Sequence, residues 1–455
     1  MKQAVVLIHG IGEQVPMDTL RGFVDAVWAS DATAPGPKAT AQVWSKPDLV
    51  SGDFELRRLT TAENRDGRRT DFFEFYWAHM MEGTEVSHLL SWAKTLLLRW
   101  PWNIPRQLRG IWFVLVGLAL GVAVGTLLFS VYGDQLPAWL APMVGVIGSA
   151  AWVGVGAFVV KQVAGDAARY LHVAPGNIQS RHKIREAGVN LLEKLHDSPK
   201  YDRIIVVGHS LGSVIGYDIL THYWARVHDQ FGATAATAPH SENAGARAAL
   251  DVLEALAREP SDGADYPARY QAAQGDYFAE LRAAGHRWRV TDFVTAGSPL
   301  AHGAVLLGRD ETEFARRKEQ REFPTCPPVL EAIKVDGATI KKFTFAPDRG
   351  WIPHHAAVFG PTRWSNLYFP CSWTIHGDVV GGKLRPAFGP GIWDIPVETT
   401  RRGGFFSHTL YWAPGETPAP SWIVALREAV RICLTPLPTA TPPTRDPGKE
   451  KARAD

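Results

Sequence analysis

Arg203–Val207 reads as a buried strand and Leu211–Trp224 as a helix, and between them stands Gly208-His209-Ser210-Leu211-Gly212. A strand that passes so abruptly into a helix must turn sharply at Ser210. Glycines two residues to either side relieve the crowding of such a turn. A bare match to GxSxG is weak in a chain with 42 glycines, where roughly 0.2 chance matches are expected. The strand before it, and the helix after it with Gly216 one turn on, give it weight.

A serine hydroxyl is a poor nucleophile unless a base takes its proton and an acid orients that base. On a strand–turn–helix scaffold of this kind the chain order is serine, acid, histidine. His408, in FFSHTLYW, is the candidate base, with His354 and His355 as rivals; His376 lies too close to the candidate acid. Asp378, in IHGDVVGG, follows the expected strand Trp364–Phe369 and is the candidate acid, with Asp348 and Asp394 as alternatives. An oxyanion formed in acyl transfer needs backbone N–H donors held in place beforehand. Leu211, directly after the serine, supplies one, and Ile11, in His9-Gly10-Ile11-Gly12, is the candidate for the other.

The rest of the chain reads as alternating strands and helices. Strands are expected at Ala4–Ile8, Glu55–Leu59, Phe72–Trp77 and Val290–Thr295. Helices are expected over 17–29, 86–98, Asn177–His196 and 420–434, with an Ala-rich helical stretch over 225–287 that is a candidate cap. Such alternation implies an α/β fold with a mostly parallel sheet flanked by helices. The catalytic domain is expected over 1–435, interrupted at 110–161 and 225–287, and 436–455 reads as a disordered tail.

Composition narrows the function classes. Lys+Arg 48 against Asp+Glu 46 argues against a general nucleic-acid-binding role. Three cysteines, none in a CxxC pair, fit a reducing compartment and the cytoplasm. No HExxH, paired CxxC, P-loop or GxGxxG-bearing βαβ unit is present, so neither a metal nor a cofactor is expected. Met1–Lys2 runs straight into the first strand and does not read as a signal peptide.

The mean hydropathy of −0.10 conceals an uneven distribution. Ile111 to Tyr132 and Leu136 to Val160 carry no charged residue, and about 20 apolar residues suffice to span about 30 Å of hydrocarbon as helix. The expectation is a two-helix transmembrane hairpin over 110–161. Arg99, Arg106, Arg109 and Lys161 flank it, which puts both ends and the catalytic domain on the cytoplasmic side. Trp100, Trp102, Trp112 and Trp139 fall at the expected interfaces. Gly117, Gly121 and Gly125 form a double GxxxG face that suits pairing within the hairpin or between copies of the chain equally.

VVLIHGIGEQ at 5–14, VVGHSLGSVIGYDIL at 206–220, FVTAGSPL at 293–300, WSNLYFPCSWTIHGDVVGG at 364–382 and SHTLYW at 407–412 together resemble the α/β-hydrolase superfamily, in particular its lipase- and esterase-like serine hydrolases. The resemblance covers most of the chain outside 110–161, 225–287 and the tail. It implies Ser210 as nucleophile, Asp378 as acid and His408 as base. In such enzymes proline often follows the acid directly, whereas Val379 follows here. The expected function is hydrolysis of carboxylic esters, lipid acyl esters among them, by an enzyme anchored in the lipid bilayer. The alternative is a catalytically idle hydrolase-like domain serving as membrane scaffold or binding module.

Overall fold

The computed structural model describes residues 2–10, 15–29, 43–52, 55–64, 67–81, 175–233, 244–261, 263–335, 337–345, 352–371, 377–398, 407–413 and 419–432, with 109, 112, 113, 116, 117, 120, 121, 124 and 170. The expected helix over 86–98, Ile11, Asp348, His376 and the tail 436–455 lie outside the described residues.

Strands β1 (Lys2–Ile8), β2 (Val43–Pro47), β3 (Arg57–Thr61), β4 (Arg69–Phe75), β5 (Tyr201–His209), β6 (Val290–Ala296), β11 (Arg363–Tyr368) and β12 (Trp393–Pro396) make one sheet of eight, in the order β12-β11-β6-β5-β1-β4-β3-β2. The six strands from β12 to β4 pair in parallel, and β3 and β2 add an antiparallel edge. Two small hairpins, β7 (Glu331–Val335) with β8 (Ala338–Lys342) and β9 (Thr344–Phe345) with β10 (Ile352–Pro353), stand apart. The helices are α1 (Asp18–Val24, continued by a wider turn through Ala29), α2 (Pro175–Asp197), α3 (Leu211–Ala233), α4 (Ala244–Arg258), α5 (Tyr266–Ala283), α6 (Glu311–Glu319) and α7 (Ser421–Val430), besides two single turns, Gly303–Leu306 and Arg385–Phe388. The expected mostly parallel sheet with flanking helices is what the chain forms.

The period of two in the central strands sorts the core into two layers. Ile204 and Val206 of β5, with Ala4, Val6 and Ile8 of β1, pack on the side of α2, α3 and α5. Ile205 and Val207, with Val5 and Leu7, pack on the side of α1 and α7. Burial on both faces explains why these strands read as continuous apolar runs. Helix α5, inside the 225–287 stretch, is seated on the sheet: Gln271 Nε2 donates to Trp364 O at 3.0 Å, and Gln274 Nε2 to Phe359 O at 2.7 Å.

Across the amino ends of β5, β6 and β11 lies a buried charge cluster. Asp292 accepts from Arg203 Nη2 at 2.7 Å and from Arg363 Nε and Nη2 at 2.8 and 2.9 Å. Arg431, just past α7, adds a third guanidinium, which donates to Gln271 Oε1 at 3.0 Å and lies 5.6 Å from the Trp393 ring centre. Burial pushes the Asp292 carboxyl up, but Arg363, Arg203 and Arg431 outweigh it and hold it well below the ordinary carboxylate range.

The transmembrane hairpin expected at 110–161 is corrected. Among the described residues no helix is long and apolar enough to cross a membrane. Helices α2 and α3 have the length, 23 residues each, but Arg181, Arg185, Glu186 and Glu193 in α2 and Asp218 and Arg226 in α3 would be too costly to leave in hydrocarbon. Of 110–161 itself, only 112, 113, 116, 117, 120, 121 and 124 are described, and the remainder lies outside the described residues. An apolar run of sufficient length is necessary for a span, not sufficient. The described residues therefore support neither an inserted two-helix hairpin nor the multi-pass membrane placement built on it.

Candidate active site

Ser210 sits at the carboxyl end of β5, where open α/β sheets bind their ligands. Its φ of 51° is in the left-handed region, unusual for a side-chain-bearing residue. The strain is held from several sides. Ser210 N donates to Ala296 O at 3.0 Å, and Ser213 N donates to Ser210 O at 3.0 Å. Ser213 Oγ lies 2.5 Å from that same carbonyl and 2.6 Å from Ser298 Oγ. Gly212 is required by space: a Cβ there would overlap the carbonyl oxygens of Ile8 and His9. At Gly208 a Cβ would meet Ser213 Cα at 2.5 Å. The two motif glycines thus let β1 and the first turn of α3 close around the serine.

His408 stands on a single turn, Ser407–Thr409, and Asp378 in the loop after β11. His408 Nε2 is 2.8 Å from Ser210 Oγ, and His408 Nδ1 is 3.0 Å from each oxygen of Asp378. An ionised carboxylate only accepts, so Nδ1 carries a proton and the lone pair of Nε2 faces the serine hydroxyl. Three further donors hold Asp378: Val380 N at 2.9 Å and Gly381 N at 3.0 Å to Oδ1, and Tyr411 OH at 2.7 Å to Oδ2. Burial pushes this carboxyl up, but the His408 imidazole and its hydrogen bond, the Gly381 N–H and the Tyr411 hydroxyl together hold it at about 2. Asp378 is fully buried, Ser210 is 4% exposed and the His408 side chain 22%.

Leu211 is the first residue of α3, where backbone N–H groups have no intrahelical carbonyl and the helix dipole is positive. Ile11 lies outside the described residues, but Gly10, next to it, comes so close that a Cβ there would be 2.9 Å from Ser210 Cβ. The rival His354 is engaged elsewhere. His354 is buried, with Nε2 3.1 Å from Val329 O and Nδ1 accepting from Ala356 N at 3.1 Å. Asp394 accepts from Leu384 N, Arg385 N and Asn366 Nδ2.

Two residues of the site escape sequence reasoning. His209, the variable residue of the motif, places Nε2 2.8 Å from His408 O; a carbonyl only accepts, so Nε2–H donates and ties the His408 turn to the serine strand. Burial above all, with the His408 ring beside it, pulls its pKa down to about 3, so the ring is neutral. The tether is reinforced by ring contacts with His408 at 5.0 Å and Trp412 at 4.7 Å. Tyr411 is the other; its hydroxyl donates to Asp378 Oδ2, a contact across 33 positions that no local pattern marks. No family model, curated protein or solved structure matches the chain.

Proposed function

We propose that the chain is a serine hydrolase of the α/β-hydrolase type that cleaves carboxylic esters, lipid acyl esters among them. The observation that carries this reading is the relay Ser210 Oγ–His408 Nε2, His408 Nδ1–Asp378, closed at 2.8 and 3.0 Å around a serine with φ 51°. Ser210 Oγ attacks the ester carbonyl carbon as its proton passes to His408 Nε2. The resulting oxyanion lies toward the start of α3, where Leu211 N–H donates. As the tetrahedral intermediate collapses, the alcohol leaves with the proton from Nε2 and the acyl group stays on Ser210. Water then attacks the acyl-enzyme, gives its proton to Nε2 and releases the acid, restoring the serine. Asp378 stays ionised throughout and stabilises the imidazolium.

Labelling by a fluorophosphonate probe tests the reading. The wild-type chain should be labelled and Ser210→Ala should not. A folded wild-type chain that takes up no probe would favour the idle-domain alternative. Tyr411→Phe removes one of the charge-assisted hydrogen bonds on Asp378. It is expected to lower kcat about tenfold, equivalent to about 1.4 kcal/mol, with probe labelling retained. An unchanged kcat in steady-state ester hydrolysis would show Tyr411 to be a packing residue only.

A further inference from the structure

A cleft of about 520 Å³ opens between the end of β4, the turn Ala78–Met81, the segment around Gly52 and α2. Leu56, Met80 and Leu191 give it apolar walls, Tyr76 an aromatic one, and Glu74 and Glu55 bring two carboxyl groups. It leads toward the candidate active site: the Tyr76 ring lies 5.2 Å from that of His9, whose neighbour Gly10 abuts Ser210.

Glu74 is the unusual member. It is 1% exposed, and its Oε2 accepts from Met17 N at 2.7 Å. Its Oε1 is equally buried and has no hydrogen-bond donor among the described residues. A buried carboxylate oxygen left in this state is costly, and a donor brought to it recovers that cost. The groups around it add to the negative field. Asp18 comes from α1 and Glu55 from the Gly52 segment, while His79 lies on the 78–81 turn, stacked 5.6 Å from Tyr76. Lys194 of α2, beside Gly52, is turned to Val50 O at 3.0 Å. Burial above all, with Asp18 adding to it, pushes the Glu74 carboxyl up to about 7.

We propose that this cleft is a binding site for an organic ammonium with an alkyl or aryl body. The ammonium donates to Glu74 Oε1, and the body lies against Leu56, Met80 and Leu191. A metal ion fits less well, since no group of three or more His, Cys, Asp or Glu among the described residues is placed to hold one. An alcohol would satisfy Oε1 without answering the charge, and a carboxylate would be repelled. Binding does not require Ser210 to be a nucleophile, so it is measured separately from any esterase activity.

The test is calorimetric titration of the full chain with n-hexylammonium, n-hexanol and hexanoate at pH 8. Hexylammonium should bind saturably at one site, hexanol at least tenfold more weakly, and hexanoate not at all. Acidification to pH 5.5 should weaken hexylammonium at least tenfold, because Glu74 takes up a proton as the pH falls through about 7. This weakening should persist in His79→Gln, which replaces the imidazole stacked on Tyr76. Glu74→Gln should erase the preference for hexylammonium over hexanol. Ala187→Phe, which fills the cleft from α2 without touching Glu74, should abolish binding of both and serves if Glu74→Gln does not fold. Equal affinity for hexylammonium and hexanol, pH-independent binding, or undiminished binding by Ala187→Phe would each overturn the proposal.

Discussion

Asp378→Asn is expected to lower kcat for ester hydrolysis about 10⁴-fold while leaving the fold intact. The hydrogen bonds dictate how the amide must sit. Val380 N and Gly381 N both donate to Oδ1, so the amide oxygen takes that place. The NH₂ then occupies the Oδ2 position, facing Tyr411 OH and His408 Nδ1. Nδ1 must accept from it, so the ring proton moves to Nε2 and points at Ser210 Oγ. The base then presents a proton where it needs a lone pair. Steady-state kinetics with a chromogenic aryl ester measure this; a loss under tenfold would mean that Asp378 does not set the tautomer. Fluorophosphonate labelling should slow in parallel, since both reactions need the same proton transfer.

Asp292→Ala should destabilise the chain by about 3–5 kcal/mol, a large part of the stability of an ordinary domain. The substitution leaves Arg203, Arg363 and Arg431 buried near one another without the carboxylate they share. Guanidinium unfolding curves give the number, and a change below about 1 kcal/mol would mean that the surrounding carbonyls and Gln271 suffice on their own. The wild-type cluster also has a pH signature. The folded carboxyl is held below its unfolded value, so its contribution is complete above about pH 4 and is lost as the pH falls further. Acid titration of Asp292→Ala should accordingly show less of the low-pH destabilisation seen in the wild type.

The parts of the molecule legible in the sequence are those whose signal is local. Ile204–Val207 is a strand because of side chains next to one another, and Ser210 is marked by glycines two residues away. Asp378 and His408 lie in short glycine- or aromatic-flanked loops after the strands that carry them. What sequence reasoning did not find depends on contacts between distant residues. His209 Nε2 reaches a carbonyl 199 positions on, and the Asp292 cluster draws its arginines from β5, β11 and the end of α7. Strands β2 and β12, short and only half-buried, carry too little apolar pattern to stand out. The hairpin expectation rested on apolar length in one segment alone, and among the described residues no helix is long and apolar enough to cross a membrane.

The two outer strands of the main sheet bear on how copies of the chain can meet. Strand β2 has only five residues and contains Lys46 and Pro47; β12 has only four and ends on Pro396. A proline offers no N–H to an incoming strand, and a lysine on a rim resists being covered. Both rims are therefore poor templates for strand addition. The main sheet should stay eight strands wide at high concentration instead of growing into ribbons.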